Sequence, residues 1–202
     1  MNLPHPALRT LLQKAYSGER AAALAYVGHA ASLRDPAARA AVKQIEDDEW
    51  NHRRNLRVIL DRYEIPVSRA FEIRFYCIGR IIALSCHVIG WFMPYFFAGK
   101  LESGNVCEYF VMLRHFHSLG IHDHDDVLYE MGIKEKEHEV YFLEKIRHSR
   151  LLPWFERVFH WGPGSTVNDV DLDHKYPIAE AHTYCRNFKR HRDAESSDAP
   201  LQ

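Results

Sequence analysis

Apolar side chains recur in steps of three and four from near the start of the chain. Leu8, Leu12, Ala15, Ala22 and Tyr26 form one stripe and predict a helix from about Leu8 to Ser32. Glu19 falls inside that stripe, a costly place for a carboxylate unless it is paired or bound to a metal. Asp35-Pro36 then supplies an N-cap and a first-turn proline for a second helix. Its stripe of Ala38, Val42, Ile45, Leu56, Ile59 and Tyr63 runs to about Ile65-Pro66, and Glu49 and His52 complete it. The neighbouring acidic residues Glu46, Asp47 and Asp48 lie mainly off the stripe and read as a solvated face. A third stripe, Val106, Tyr109, Leu113 and Phe116, again contains a carboxylate, Glu102, and stops at Gly120. The fourth is Leu128, Met131, Phe142 and Ile146, with Glu135 and His138 filling its gap. The connecting loop, Ile121 to Asp126, offers an aspartate N-cap. His122, Asp123 and His124 in that loop have the chemistry of metal ligands, but capping and solvation are the simpler reading.

Between the second and third stripes, residues 71–99 are the most apolar part of the protein. From Ile81 to Gly99 the chain has no formally charged side chain, and at about 1.5 Å per residue a helix of that length would nearly cross a bilayer. Arg74 and Arg80 stand at its start, and Pro94 predicts a kink. Three readings compete: a buried helix or dimer face, a patch on a membrane or a channel for a lipid-like substrate, and a spanning helix. The last would remove this segment from the bundle and leave the core short of partners.

Length and charge narrow the field. With 202 residues and a formal net charge of −1, the chain is long enough for a sizeable core and lacks the basic footprint of a nucleic-acid binder. The four cysteines, Cys77, Cys86, Cys107 and Cys185, show no CxxC pairing and read as reduced, buried thiols of a cytoplasmic protein. The N-terminus has neither the basic start nor the apolar run of a signal peptide. After Leu152-Pro153 the helical pattern decays. Trp154, Phe155, Phe159 and Trp161 suggest a short amphipathic piece that packs back on the bundle, and the polar tail beyond Gly162 reads as partly disordered. The expected organisation is a helical domain over 6–150 and an extension over 151–202.

The chemistry lies in the polar residues inside the stripes. On a helix, residues three apart share a face, so Glu49 and His52 can reach one metal ion together. With 15 Glu and 14 His in the chain, about one Glu-x-x-His pair is expected by chance, and the pair alone decides nothing. A second copy, Glu135 and His138, changes that. Glu19 precedes Tyr26 by seven residues and Glu102 precedes Tyr109 by seven; the Glu-x-x-His pair follows 30 residues after Glu19 and 33 after Glu102. The chain thus reads as two helix pairs, each giving one Glu from its first helix and Glu-x-x-His from its second. Four carboxylates and two imidazoles are the ligand set of a carboxylate-bridged di-iron or di-manganese site in a four-helix bundle. The predicted fold is all-α, a ferritin-like antiparallel four-helix bundle with an extra apolar helix between the two pairs.

At these residues the chain resembles the ferritin-like superfamily, and within it is most similar to the demethoxyubiquinone hydroxylases, the di-iron monooxygenases of ubiquinone biosynthesis. Gly18-Glu19 and Tyr26-Val-Gly28 match that family's first-helix pattern, and Glu102 with Tyr109 matches its third-helix glutamate and aromatic. Glu49, His52, Glu135 and His138 take the paired ligand positions. Residues 75–99 resemble the family's apolar helix, which is associated with membrane contact and quinone access. The chain departs from the pattern at His29, where the family usually carries Gln, and at Glu108, which stands where it has a His.

These readings together lead to an O2-activating di-iron oxidoreductase, a hydroxylase of a quinone-like or other apolar substrate. The expected metal ligands and catalytic groups are Glu19, Glu49, His52, Glu102, Glu135 and His138, with Tyr26, His29, Tyr109 and Glu108 as pocket or near-site candidates. Glu49 and Glu135 would bridge the metals, which are two iron ions or manganese. The implied partners are O2, an electron donor, the membrane surface through residues 75–99 and a second copy of the chain. The expected location is cytoplasmic and peripheral on the inner face of the membrane. The alternatives are a ferroxidase or rubrerythrin-like iron-handling protein and a non-enzymatic bundle. A transfer-RNA hydroxylase is disfavoured by the neutral charge.

Overall fold

The computed structural model of the protein describes residues 3–164. Among these residues the structure is all-α: α1 (Pro6–Ser32), α2 (Pro36–Arg62), α3 (Arg69–Ser85), α4 (Phe92–Ser118), α5 (Asp125–Ile146) and α6 (Leu152–Phe159). They fall into two compact units, with the boundary between Phe97 and Ala98 inside α4. The polar tail expected to be disordered lies outside the described residues.

In the first unit α1 and α2 form an antiparallel hairpin around a three-residue link. Asp35 caps α2 as its sequence suggests, its carboxylate accepting from the backbone N–H of Ala37 and Ala38 at 3.3 and 3.1 Å. All the stripe residues of both helices are buried. Glu46 departs from the solvated-face reading: it is buried and accepts from Trp50 Nε1 at 3.2 Å. The third helix joins through small residues. A Cβ on Gly28 would overlap the Ala83 backbone, and one on Gly79 would lie 2.7 Å from the Ala21 carbonyl oxygen. Only glycine lets the two backbones approach this closely.

A charged knot ties the three helices. Glu72 of α3 accepts from Arg53 of α2 at 3.0 and 2.8 Å and from Arg20 of α1 at 3.0 Å, while Arg53 also lies 3.8 Å over the Tyr16 ring. Burial opposes ionisation of Glu72, but hydrogen bonds from Arg53 and Ser17 and the charges of Arg53 and Arg20 outweigh it and hold the carboxyl below its ordinary 4.5. A depressed folded-state value contributes stability that is present above the unfolded value and lost as pH falls through the folded one. Glu72→Gln is therefore expected to lower stability at neutral pH and to flatten its loss on acidification below 4.5, as read by urea unfolding across that range. Parallel acid limbs in the two chains would show that the knot is solvent-screened and energetically silent.

The apolar stretch corrects two expectations. It is not one helix: α3 ends at Ser85, the chain turns through residues 86–91 with Gly90 at φ +81, and α4 starts at Phe92. Pro94 thus falls in the first turn of α4, where proline is tolerated, instead of kinking a helix interior. Burial is also divided: Phe92, Tyr95, Phe96 and Ala98 of α4 are buried as one reading expects, but α3 and the turn after it are mostly exposed. Of α3 only Gly79 and Ala83 are buried, while Ile73, Ile81 and Leu84 are each 67 % exposed, Val88 81 % and Trp91 59 %. Among the described residues no helix is long and apolar enough to cross a membrane.

In the second unit α4, from Ala98 onward, and α5 run antiparallel. α4 stops where Gly120, at φ +69, occupies the left-handed position of a Schellman motif. Its bonds are Ile121 N–H to the Phe116 carbonyl at 3.0 Å and Gly120 N–H to the His117 carbonyl at 2.9 Å. Of the aromatic piece, Phe155 and Trp161 pack inward as expected, whereas Trp154 is 60 % exposed and Phe159 is half-buried. Leu152, Phe155 and Trp161 are buried, and the Trp161 indole fills the space that Gly99 of α4 leaves open. Trp161 Nε1 donates to Glu139 Oε1 at 2.9 Å, and Lys136 Nζ donates to Glu139 Oε2 at 2.8 Å, all three residues being buried. The thiols differ from expectation at Cys77, which is free but exposed, whereas Cys86 is free and buried as expected.

Candidate metal centre

Each unit carries one triad. In the first, Glu19 projects from the middle of α1 toward Glu49 and His52 on α2, and the three side chains offer ligand atoms within 4.8 Å of one another. The hairpin explains the match, since the antiparallel register that places Tyr16 beside Arg53 brings Glu19 level with Glu49. In the second unit Glu102 of α4 meets Glu135 and His138 of α5 within the same limit. None of the six residues is more than 4 % exposed, and Glu49, Glu102 and Glu135 are fully buried. His138 Nδ1 lies 3.5 Å from Glu135 Oε2.

The electrostatics of the second triad are those of a site short of positive charge. Burial first, then the charge of Glu135 and the hydrogen bond with it, push the Glu102 carboxyl well above its ordinary value. His138 and a hydrogen bond from Asn105 Nδ2, at 2.9 Å, oppose that rise without cancelling it. Two carboxylates facing each other in a dry interior require a proton or a cation between them. Carboxylate oxygens and one ring nitrogen suit a divalent first-row metal such as iron or manganese, whereas calcium prefers oxygen alone. The donors present therefore fit a metal.

The remaining candidates divide. Tyr26 and Tyr109 are buried on the same helix faces as Glu19 and Glu102. His29 stands outside the triads; its ring packs edge-on against Tyr95 with centroids 4.7 Å apart, and burial pushes its pKa down to about 4. It is a neutral imidazole at ordinary pH, and it lines a half-open pocket of about 340 Å³ with Leu33, Arg34, Cys86, Trp91 and Pro94. Glu108 is half-buried and also stands outside the triads. Asn105 escaped the sequence reading, although its place three residues after Glu102 puts it on that face.

Compared with known proteins, the chain matches no family model, no curated protein and no solved structure. What stands, among the described residues, is an all-α fold with two buried Glu/Glu/His triads in matching positions of two helical units.

Proposed function

We propose that the two triads together hold a dinuclear metal centre, most simply di-iron, in a ferritin-like four-helix arrangement, and that the protein is an O2-dependent hydroxylase of an apolar organic substrate. One observation carries this reading. A carboxylate faces a Glu-x-x-His pair across a helix hairpin in one unit, the same pattern recurs in the other, and all six residues are buried. Glu19, Glu49, His52, Glu102, Glu135 and His138 would be the ligands, with Glu49 and Glu135 bridging. Bound iron would supply the activation of O2, with electrons drawn from an external donor.

The chain's own residues do the rest. The apolar stripes around the triads exclude water and fix the ligand rotamers. Asn105 holds Glu102 Oε2 and so orients that carboxylate. The pocket beside His29 has apolar walls in Leu33, Trp91 and Pro94, and Arg34 at its margin; its size suits the head of a quinone-like molecule. The exposed side chains Ile73, Ile81, Leu84, Val88 and Trp91, with Arg74 and Arg80 among them, suit contact with a membrane surface where such substrates reside. A second copy of the chain could cover the same face.

The test is iron loading. Purified protein is mixed anaerobically with ferrous iron, freed of excess metal and exposed to air. About two irons per chain are expected, with O2 consumed on exposure and further turnover when an electron donor and a quinone are supplied. Iron that oxidises and accumulates beyond two per chain without an organic substrate would favour iron handling. No retained iron or manganese would overturn the metal centre and leave a structural bundle.

A further inference from the structure

A separate constellation lies on the surface, in the turn between α4 and α5. The Schellman motif at Gly120 reverses the chain so that His122 returns beside His117, one turn back on α4, with ring centroids 4.4 Å apart. α5 begins at Asp125, whose carboxylate lies against both rings. Oδ1 is 2.7 Å from His117 Nε2, and Oδ2 is 3.2 Å from His122 Nδ1. Ligand atoms of all three residues lie within 4.8 Å of one another.

This differs from the cluster that the loop sequence suggests. His124 turns inward and is buried, packing its ring at 4.7 Å from Phe116, and Asp123 is exposed and outside the trio. Nor does an aspartate cap α5. The N-cap is His124, which makes no side-chain capping bond, and Asp125 directs its carboxylate to the two imidazoles.

We propose that His117, His122 and Asp125 form a second metal site, distinct from the buried triads, that takes Zn2+ or a similar late transition-metal ion and clamps the α4–α5 turn. Two imidazoles and one carboxylate are a familiar three-ligand zinc set, with water taking the fourth tetrahedral position. Calcium and magnesium are excluded by the two nitrogen donors. The site is accessible: His122 is 63 % exposed, whereas Asp125 and His117 are partly covered at 18 % and 25 %, so an ion can enter against a supported wall. The three donors also span the end of one helix and the start of the next, so an ion held there stabilises the turn that joins Glu102's helix to that of Glu135 and His138.

The experiment compares the full chain with His122→Ala and with Asp125→Asn, each titrated with zinc chloride by calorimetry and scanned for thermal unfolding. The buried triads also offer zinc donors, so the readout is the difference between chains. The wild type is expected to bind one zinc more than either variant and to show a larger zinc-dependent rise in Tm. Cobalt substituted for zinc should give stronger visible absorption in the wild type than in either variant, the difference belonging to this site. Equal stoichiometry and equal thermal response in all three chains would overturn the site and leave His117, Asp125 and His122 as a hydrogen-bonded turn. Both variants change surface side chains, and a circular dichroism spectrum like that of the wild type verifies their folding. The outcome does not depend on whether the buried triads bind iron.

Discussion

Glu135→Gln is expected to have opposite effects on the metal-free and the iron-loaded protein. Without metal, Glu102 and Glu135 lie together with no exposure, and burial and mutual repulsion push the Glu102 carboxyl up. Glutamine keeps the shape and an acceptor oxygen but removes one charge from that pair. The metal-free variant should therefore be as stable as the wild type or more so, by about 1–2 kcal/mol. With ferrous iron the order reverses. An ion that binds only the folded state at about a hundred times its Kd adds about 3 kcal/mol. If Glu135 is the ligand proposed above, the variant should forfeit most of that and retain fewer than half of the irons. The measurement is urea unfolding of both chains under anaerobic conditions, once with chelator and once with ferrous iron. A crossing of the two stabilities is the signature of a metal ligand. If Glu135→Gln costs the same with and without iron, Glu135 is a structural hydrogen-bonding residue and the proposed centre loses its bridge.

The residues behind that prediction were legible because a helical stripe is a local property. Glu19, Glu49, His52, Glu102, Glu135 and His138 each interrupt an apolar face at a position that periodicity alone marks as inward, and burial follows that periodicity. Where the pattern is uniform the sequence is mute. Residues 81–99 are apolar throughout, so no phase distinguishes an inner face from an outer one, and the break at residues 86–91 depends on a backbone turn at Gly90. The exposure of Ile81, Leu84 and Val88 was hidden for the same reason: small residues, Gly79 and Ala83, make the contact with α1 and leave the large ones outside. Clusters that depend on a chain reversal were also out of reach. His117 joins His122 only through the left-handed turn at Gly120, whereas the contiguous residues His122, Asp123 and His124 read more simply as capping and solvated side chains. Glu46 sits at an edge position that the stripe alone places in solvent, but it is buried and takes the Trp50 indole N–H.

The remaining large effect concerns the buried charge pair beside the second triad. Lys136 and Glu139 are 4 % and 1 % exposed, and one carboxylate oxygen takes the ammonium at 2.8 Å while the other takes the Trp161 indole N–H at 2.9 Å. Desolvating two charges cancels much of their attraction, so the pair contributes little over an apolar substitute; breaking it is another matter. Lys136→Met leaves a buried carboxylate with only the indole N–H of these two donors, and should cost about 3–5 kcal/mol. Trp161→Phe deletes a hydrogen bond to a charged acceptor, worth about 1.5–3 kcal/mol, and also loses the outer indole atoms that pack on Gly99. Lys136→Met combined with Glu139→Gln should recover most of the loss, because the amide oxygen still accepts from Trp161 and no net charge stays buried. Urea unfolding of the single and double variants gives the coupling energy directly. A cost below about 1 kcal/mol for Lys136→Met would mean that water reaches Glu139 when the lysine is gone. A large cost that the second substitution rescues would establish that Glu139, next to His138 and one turn beyond Glu135, docks the α6 end of the unit onto the face of α5 that carries the triad.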